Sequence, residues 1–142
     1  MLKTVLTMLL AVVSATTCTP APAADLGIHL GTYHTRHGVY NNANPGVYVR
    51  ADNGLTAGVY LNSLSKVSTY AGWTTSTQAG PVELSLTLGG ITGYPVAHVL
   101  PLAVPSAAIK VDEATSLRLT WIPRVHPKVD THAFHVSIET KF

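Results

Sequence analysis

Charge is what this sequence has least of. Lys, Arg, Asp and Glu together make up 11% of its 142 residues, under half the ~25% of ordinary soluble domains. A surface facing water needs more charge than that, whereas a surface facing lipid does not. Cysteine is almost missing as well. Cys18 is the single one, and it lies in a segment expected to be removed, so no disulfide staples the mature domain. No apolar run is long enough to cross a bilayer as a helix. The one near the start, Val5–Val13, is broken by Thr7 and falls well short of the ~20 residues required. There is no sustained helical period, internal repeat, Gly-rich phosphate loop or Gly-x-Ser-x-Gly elbow, so nothing points to nucleotide binding or an α/β-hydrolase. A basic excess is missing too. Without Lys3 the balance is eight basic against seven acidic residues, which argues against a nucleic-acid partner.

What is present begins with an export signal. Lys3, the apolar stretch Val5–Val13 and the small residues Ala21-Pro22-Ala23 follow the order of a cleaved signal peptide. Residues 1–23 are read as that signal, with the cut before Ala24 or Asp25. Cys18, followed by Thr-Pro-Ala-Pro-Ala-Ala, would suit a lipidated tether. Ala15-Thr16-Thr17, however, lacks the Leu and the very small residue expected before such a Cys. Residues 24–142 then form one domain.

Within that domain the period is two. Leu55, Ala57, Val59 and Leu61 alternate with Thr56, Gly58, Tyr60 and Asn62, and Val82, Leu84, Leu86 and Leu88 with Glu83, Ser85 and Thr87. At the end, Phe134, Val136, Ile138, Thr140 and Phe142 alternate with His135, Ser137, Glu139 and Lys141. Strand side chains point to opposite faces in turn, so each segment has an apolar and a polar face. Turn signals at 41–46, 52–54, 62–66, 75–80, 90–95, 112–115 and 123–130 separate eight segments. These lie near 26–35, 46–52, 54–62, 66–75, 80–90, 94–111, 114–123 and 131–142. The predicted fold is all-β: an eight-stranded antiparallel up-and-down barrel of the outer-membrane type, whose apolar faces lipid covers. Alternation alone also fits a soluble periplasmic barrel that binds an apolar ligand. The aromatic C-terminal residue Phe142 favours the membrane form. Pro95, Pro101 and Pro105 in the sixth segment predict bent or unpaired backbone, because proline donates nothing to a ladder. Arg50, Glu83, Arg118, Glu139 and Lys141 fall on polar faces. Arg50, Arg118, Glu83 and Glu139 are expected to meet inside the barrel.

The first and third strands should end at the outer rim, carrying Thr32–His37 and Asn62-Ser63. Separated by one neighbour, those strands lie ~10 Å apart at ~4.8 Å per spacing, so His34 and Ser63 can approach. A His beside a hydroxyl is the minimum for proton transfer in acyl chemistry. Strand parity opposes this, since it puts His34 on the lipid face with Leu26, Ile28 and Leu30. A bulge at Gly31, or a strand ending there, is required to turn it inward. His34 with His37, and His132 with His135, are three apart and so on opposite faces of a strand, which disfavours metal binding. No metal or cofactor is expected.

Six short stretches resemble the lipid A palmitoyltransferases of Gram-negative outer membranes, and they come in the family's order. Thr32-Tyr33-His34-Thr35-Arg36 is similar to the family's Thr-Trp-His-Asn-Arg, which carries its essential His. Gly58-Val59-Tyr60, then Asn62-Ser63 and Ala71-Gly72-Trp73, resemble its Gly-Leu-Tyr, Asp-Ser and Gly-Gly-Tyr. Val99-Leu100-Pro101-Leu102-Ala103 resembles Leu-Leu-Pro-Leu-Ala, and Trp121-Ile122-Pro123 resembles Tyr-Ile-Pro. The resemblance implies a monomeric outer-membrane enzyme of eight strands that moves an acyl chain from a phospholipid to a hydroxyl of lipid A, the anchor of lipopolysaccharide. Its partners would be membrane lipids. His34, Ser63 and Asn62 would be the site residues, and Pro95, Pro101 and Pro123 would mark where strand pairing breaks to admit lipid sideways. Two departures stand out. Asn62 occupies the family's Asp position, and a neutral amide can orient a His without stabilising its imidazolium. The chain also lacks the family's N-terminal amphipathic helix and its long first outer loop. The alternative is a non-catalytic surface barrel that shields or adheres.

Overall fold

The structure, a computed structural model, describes residues 23–36, 38–124 and 131–142. The expected signal peptide, Cys18 and His37 lie outside them. Eight strands follow in order: β1 Ala24–His34, β2 Ala43–Ala51, β3 Leu55–Leu61, β4 Val67–Ala79, β5 Val82–Ile91, β6 Leu100–Lys110, β7 Thr115–Ile122 and β8 Ala133–Lys141. Each pairs antiparallel with its neighbours, and β1 pairs with β8 to close the barrel. The seam is tied at one end by Ala24 N to Phe142 O at 3.3 Å and Phe142 N to Ala24 O at 3.1 Å.

Several expected boundaries moved; β2 begins at Ala43, inside the turn read at 41–46. The turn read at 75–80 is mostly strand: β4 runs to Ala79, favoured by β-branched Thr74, Thr75 and Thr77, and only Gly80-Pro81 turns. Gly80 has φ 62 there, a left-handed value that glycine adopts without a Cβ clash. The sixth strand begins at Leu100 rather than 94, leaving Pro95 in a loop. Pro101 and Pro105 do enter the strand, each in register with β5, opposite Gly90 and Leu86.

The connections sort the two ends. One end has the short turns around Asp52–Gly54, Gly80-Pro81 and Val111–Ala114. The other has the longer connections, from β1 to β2, β3 to β4, β5 to β6 and β7 to β8. Short periplasmic turns and longer outer loops are the habit of transmembrane barrels.

The apolar and polar faces lie opposite to those of a soluble barrel. Ile28, Leu30, Val49, Leu55, Leu84, Leu86, Leu88, Leu117, Leu119 and Ile138 are exposed on the outer wall. Tyr33, Phe134 and Trp121 sit side by side on the outside of β1, β8 and β7, near the long-loop end. Inside, the buried residues are mainly polar, among them Arg118, Glu139, His135, Ser137, Thr56 and Thr74. A soluble ligand carrier would have water-compatible walls and an apolar interior.

Candidate active site

The lumen is filled in layers. At the short-turn end an ion cluster closes it, as the strand parity of its charged residues predicts. Arg50 reaches Asp25 at 2.6 Å and Glu83 at 3.1 Å, and Arg118 reaches Glu83 at 2.6 Å and Glu139 at 2.7 Å. Arg118 also donates to Ser85 and Ser106. Each buried charge thus faces an opposite one and has hydrogen-bonding partners, the condition under which buried ions are tolerated.

Above the ions lies an aromatic layer. Tyr48, Tyr60 and Tyr70 surround His29, whose ring is 4.8, 5.3 and 5.8 Å from theirs. His29 Nδ1 meets His135 Nε2 at 2.7 Å, and Thr32 Oγ1 meets His135 Nδ1 at 2.8 Å. Tyr48 has room because its cross-strand neighbours are Gly27 and Gly58. A Cβ on either would run into the Tyr48 side chain.

A cavity of about 190 Å³ runs up the lumen from these layers to the long-loop rim, and both His34 and Ser63 line it. Against β8 the register of β1 shifts between His29, opposite Ser137, and Gly31, opposite Val136, so Leu30 is the extra residue on that side. That bulge, one residue before the expected Gly31, changes the parity of the strand. His34 therefore points inward and is 5% exposed. It stacks on Tyr40 at 4.8 Å.

Asn62 does not join His34. Its Nδ2 donates to Ser68 Oγ at 2.9 Å and to Gly93 O at 3.0 Å, while its Oδ1 accepts from Leu64 N and Lys66 N at 2.9 and 3.0 Å. The amide is fully used in building the β3–β4 turn that carries Ser63. The partner of His34 is Asn42, with Oδ1 2.7 Å from Nδ1. The expectation of Asn62 as orienting residue is corrected accordingly: in a tight turn its side chain satisfies backbone groups that would otherwise be unpaired.

Opposite the polar rim the wall is apolar. Leu100, Leu102 and Val104 of β6, with Ile91 and Ile122, line the same cavity. The β6–β7 ladder spans only Ser106–Lys110 against Ser116–Thr120, whereas β6 pairs with β5 along its whole length. Above Pro105 the wall between β6 and β7 has no ladder. Tyr94, in the β5–β6 loop, also lines the cavity and lies 3.0 Å from Tyr60 through their hydroxyls. Burial raises the Tyr94 phenol above its ordinary value, so it stays protonated and can donate at neutral pH.

Sequence reasoning did not find the His29–His135 contact, Asn42, or the apolar stripe on β6. Only the stripe had a signal: Leu100, Leu102 and Val104 share the parity of Ser106 and Ala108, which fixes them inside. His132 and His135 do fall on opposite faces, His132 exposed and stacked on Trp121 at 5.9 Å, His135 buried. Among the described residues no cluster of three metal-binding side chains forms.

No family model and no curated protein matches the chain. It is similar to solved structures of designed proteins. A de novo designed transmembrane β-barrel matches with a TM-score of 0.60 and 15% identity, over 89% of this chain and 100% of that one. The fold is that of a transmembrane β-barrel. A second de novo designed protein, TMB2.3, solved by NMR in solution, matches with a TM-score of 0.60 and 12% identity, over 87% of this chain and 98% of that one. At such low identity the likeness is of fold alone.

Proposed function

We propose that the protein is an outer-membrane acyltransferase that moves an acyl chain from a phospholipid to a hydroxyl of lipid A. The observation that carries this reading is one cavity holding two chemistries. A buried His34 and the Ser63 turn lie at its polar rim, and an apolar wall of Leu100, Leu102 and Val104 adjoins the unpaired stretch of β6 and β7. An acyl chain is chemically suited to that wall, and a donor diffusing in the bilayer can reach a closed barrel only between strands.

In the reaction, His34 takes the proton of the acceptor hydroxyl. The oxygen attacks the donor ester carbonyl, the new acyl–oxygen bond forms, and the bond to the glycerol oxygen breaks. The proton passes from His34 to that leaving oxygen, giving a lysophospholipid. The Ser63 and Tyr94 hydroxyls at the rim can donate to the carbonyl oxygen as negative charge builds on it. The long-loop rim suits an anionic acceptor. Among the described residues its loops carry Arg36, Lys66 and Arg124, whereas the short-turn end carries Asp52, Asp112 and Glu113.

Mass spectrometry of lipid A from cells with and without the expressed gene tests the proposal. A gain of one acyl mass, lost in His34→Ala while the barrel still folds, is the expected result. Unchanged lipid A would end the enzymatic reading and leave a surface barrel.

A further inference from the structure

We propose that Asn42 is the positioning residue of His34: it fixes the ring tautomer that presents a lone pair at Nε2 to the cavity. The inference deepens the acyl-transfer reading, which supplies the reaction that such a lone pair would serve, and it starts from hydrogen-bond inventory. An amide oxygen only accepts. His34 Nδ1, 2.7 Å from Asn42 Oδ1, must therefore be the donor. A neutral imidazole has one N–H, so with Nδ1 protonated the lone pair is on Nε2. Among the described residues Nε2 makes no hydrogen bond, and His34 lines the cavity that also holds Ser63.

The arrangement is held from both sides. Asn42 O accepts the backbone N–H of Thr32 at 2.9 Å, two residues before His34 on the same strand. The acceptor is thus tied to the element that carries the ring. Tyr40, two residues before Asn42, stacks on the imidazole at 20° between ring planes and 4.8 Å between centroids. Ring rotation that exchanged the two nitrogens would break the bond to Asn42 and disturb that stack. The neighbouring Asn44 is a different case, since its Nδ2 donates to the backbone oxygens of Leu61 and Asn41 and so holds the loop to β3.

In catalytic terms a His whose base nitrogen faces the substrate is set up to take a proton. With the tautomer reversed, an N–H would face the substrate hydroxyl and nothing could accept its proton. Loss of the correct tautomer costs up to ~10⁴-fold in rate where a His is the base. Asn42 thus supplies the orienting half of the role that a carboxylate plays elsewhere, without its charge.

The test reads the tautomer directly. The full-length protein, labelled with ¹⁵N and refolded in detergent micelles, reports the His34 ring nitrogens by their ¹⁵N shifts, with His34→Gln supplying the assignment. Above pH 8 the wild type should show a protonated Nδ1 and a bare Nε2. Asn42→Leu should move the population toward the Nε2–H form, and Asn42→Asp should restore the Nδ1–H form. A wild-type ring in the Nε2–H form, or an Asn42→Leu ring unchanged from wild type, overturns the proposal. In lipid A acylation assays Asn42→Leu should lower kcat at least about 10-fold with little change in KM. Asn42→Asp should recover most of that loss, a rescue that a residue that merely packs would not show. If the wild type acylates nothing while the tautomers behave as stated, the acyl-transfer reading fails and the positioning of His34 stands.

Discussion

One guanidinium can hold two carboxylates, and Arg118 does so, reaching Glu83 and Glu139 at 2.6 and 2.7 Å while only 5% exposed. Removing it leaves Glu139 with one cation among the described residues, Arg50 at 3.3 Å, and the Tyr48 hydroxyl at 2.7 Å. Breaking a buried pair from one side costs ~3–5 kcal/mol, because the remaining charge stays buried without its partner. Arg118→Met is therefore expected to lose stability on that scale, measured by urea unfolding from lipid vesicles with tryptophan fluorescence. Arg118→Lys should recover only part of it, since one ammonium cannot reproduce the planar fork. Asn62→Asp gives a second expectation. A carboxylate cannot donate to Gly93 O or Ser68 Oγ as the amide does, so the variant should destabilise the β3–β4 turn and show no gain in acylation. A more active variant would restore Asn62 to the place of a charged neighbour of His34. At this scale the sequence shows which face a charge takes, because an Arg in lipid near midplane costs ~2–4 kcal/mol and parity leaves only the lumen. It does not show which groups touch. The bond from His34 to Asn42 depends on the path of the β1–β2 loop. The His29–His135 contact depends on cross-strand register, and neither follows from spacing along one chain.

Strands are more legible than their ends. Alternation locates all eight, since a one-residue slip would bring every lipid-facing side chain into the lumen. The misplaced boundaries fell where local chemistry was ambiguous: a Thr-rich run read as turn that continues β4, and prolines read as interruptions that β6 keeps on its β5 side. The bulge in β1 was required by parity before it was seen, and it yields an unusual expectation. Because Leu30 is the extra residue against β8, deleting it leaves a strand of regular alternation in which His29 and His34 both still face inward. The deletion should fold, and a Cys placed at position 33 should still react with a lipid-phase thiol reagent. Deleting Ile28 should instead drive His29 toward lipid and impair assembly. Gly58 offers the opposite kind of test. A side chain there would meet the rings of Tyr70 and Tyr48, and overpacking of this sort costs ~1–3 kcal/mol. Gly58→Val should lower the unfolding midpoint while a valine at exposed Ala57 does not.

For the whole molecule, an apolar exterior around a charged interior predicts where the chain goes and what it does not pass. The mature protein should fractionate with the outer membrane and run at a different position on gels when unheated, and its recovery as a soluble periplasmic monomer would contradict the membrane reading. Deleting Phe142 should impair assembly, because that residue contributes two of the hydrogen bonds that close the seam. The lumen leads to the last expectation. A porin conducts because its interior is polar and open, whereas here the polar interior is spent on itself. The ion cluster spans from β1 and β2 to β5, β7 and β8, and the Tyr–His layer fills the space above it. An ion crossing the barrel would have to displace guanidinium–carboxylate pairs whose separation is costly. The purified protein in planar bilayers should therefore give no conductance above that of the bare membrane at any salt concentration. Under the acyl-transfer reading, a cavity floored by this ion cluster would admit lipid from the rim and the side without leaking solutes. Stable single-channel currents from the wild type would mean that the plug opens, and a blind acyl pocket would then no longer describe the lumen.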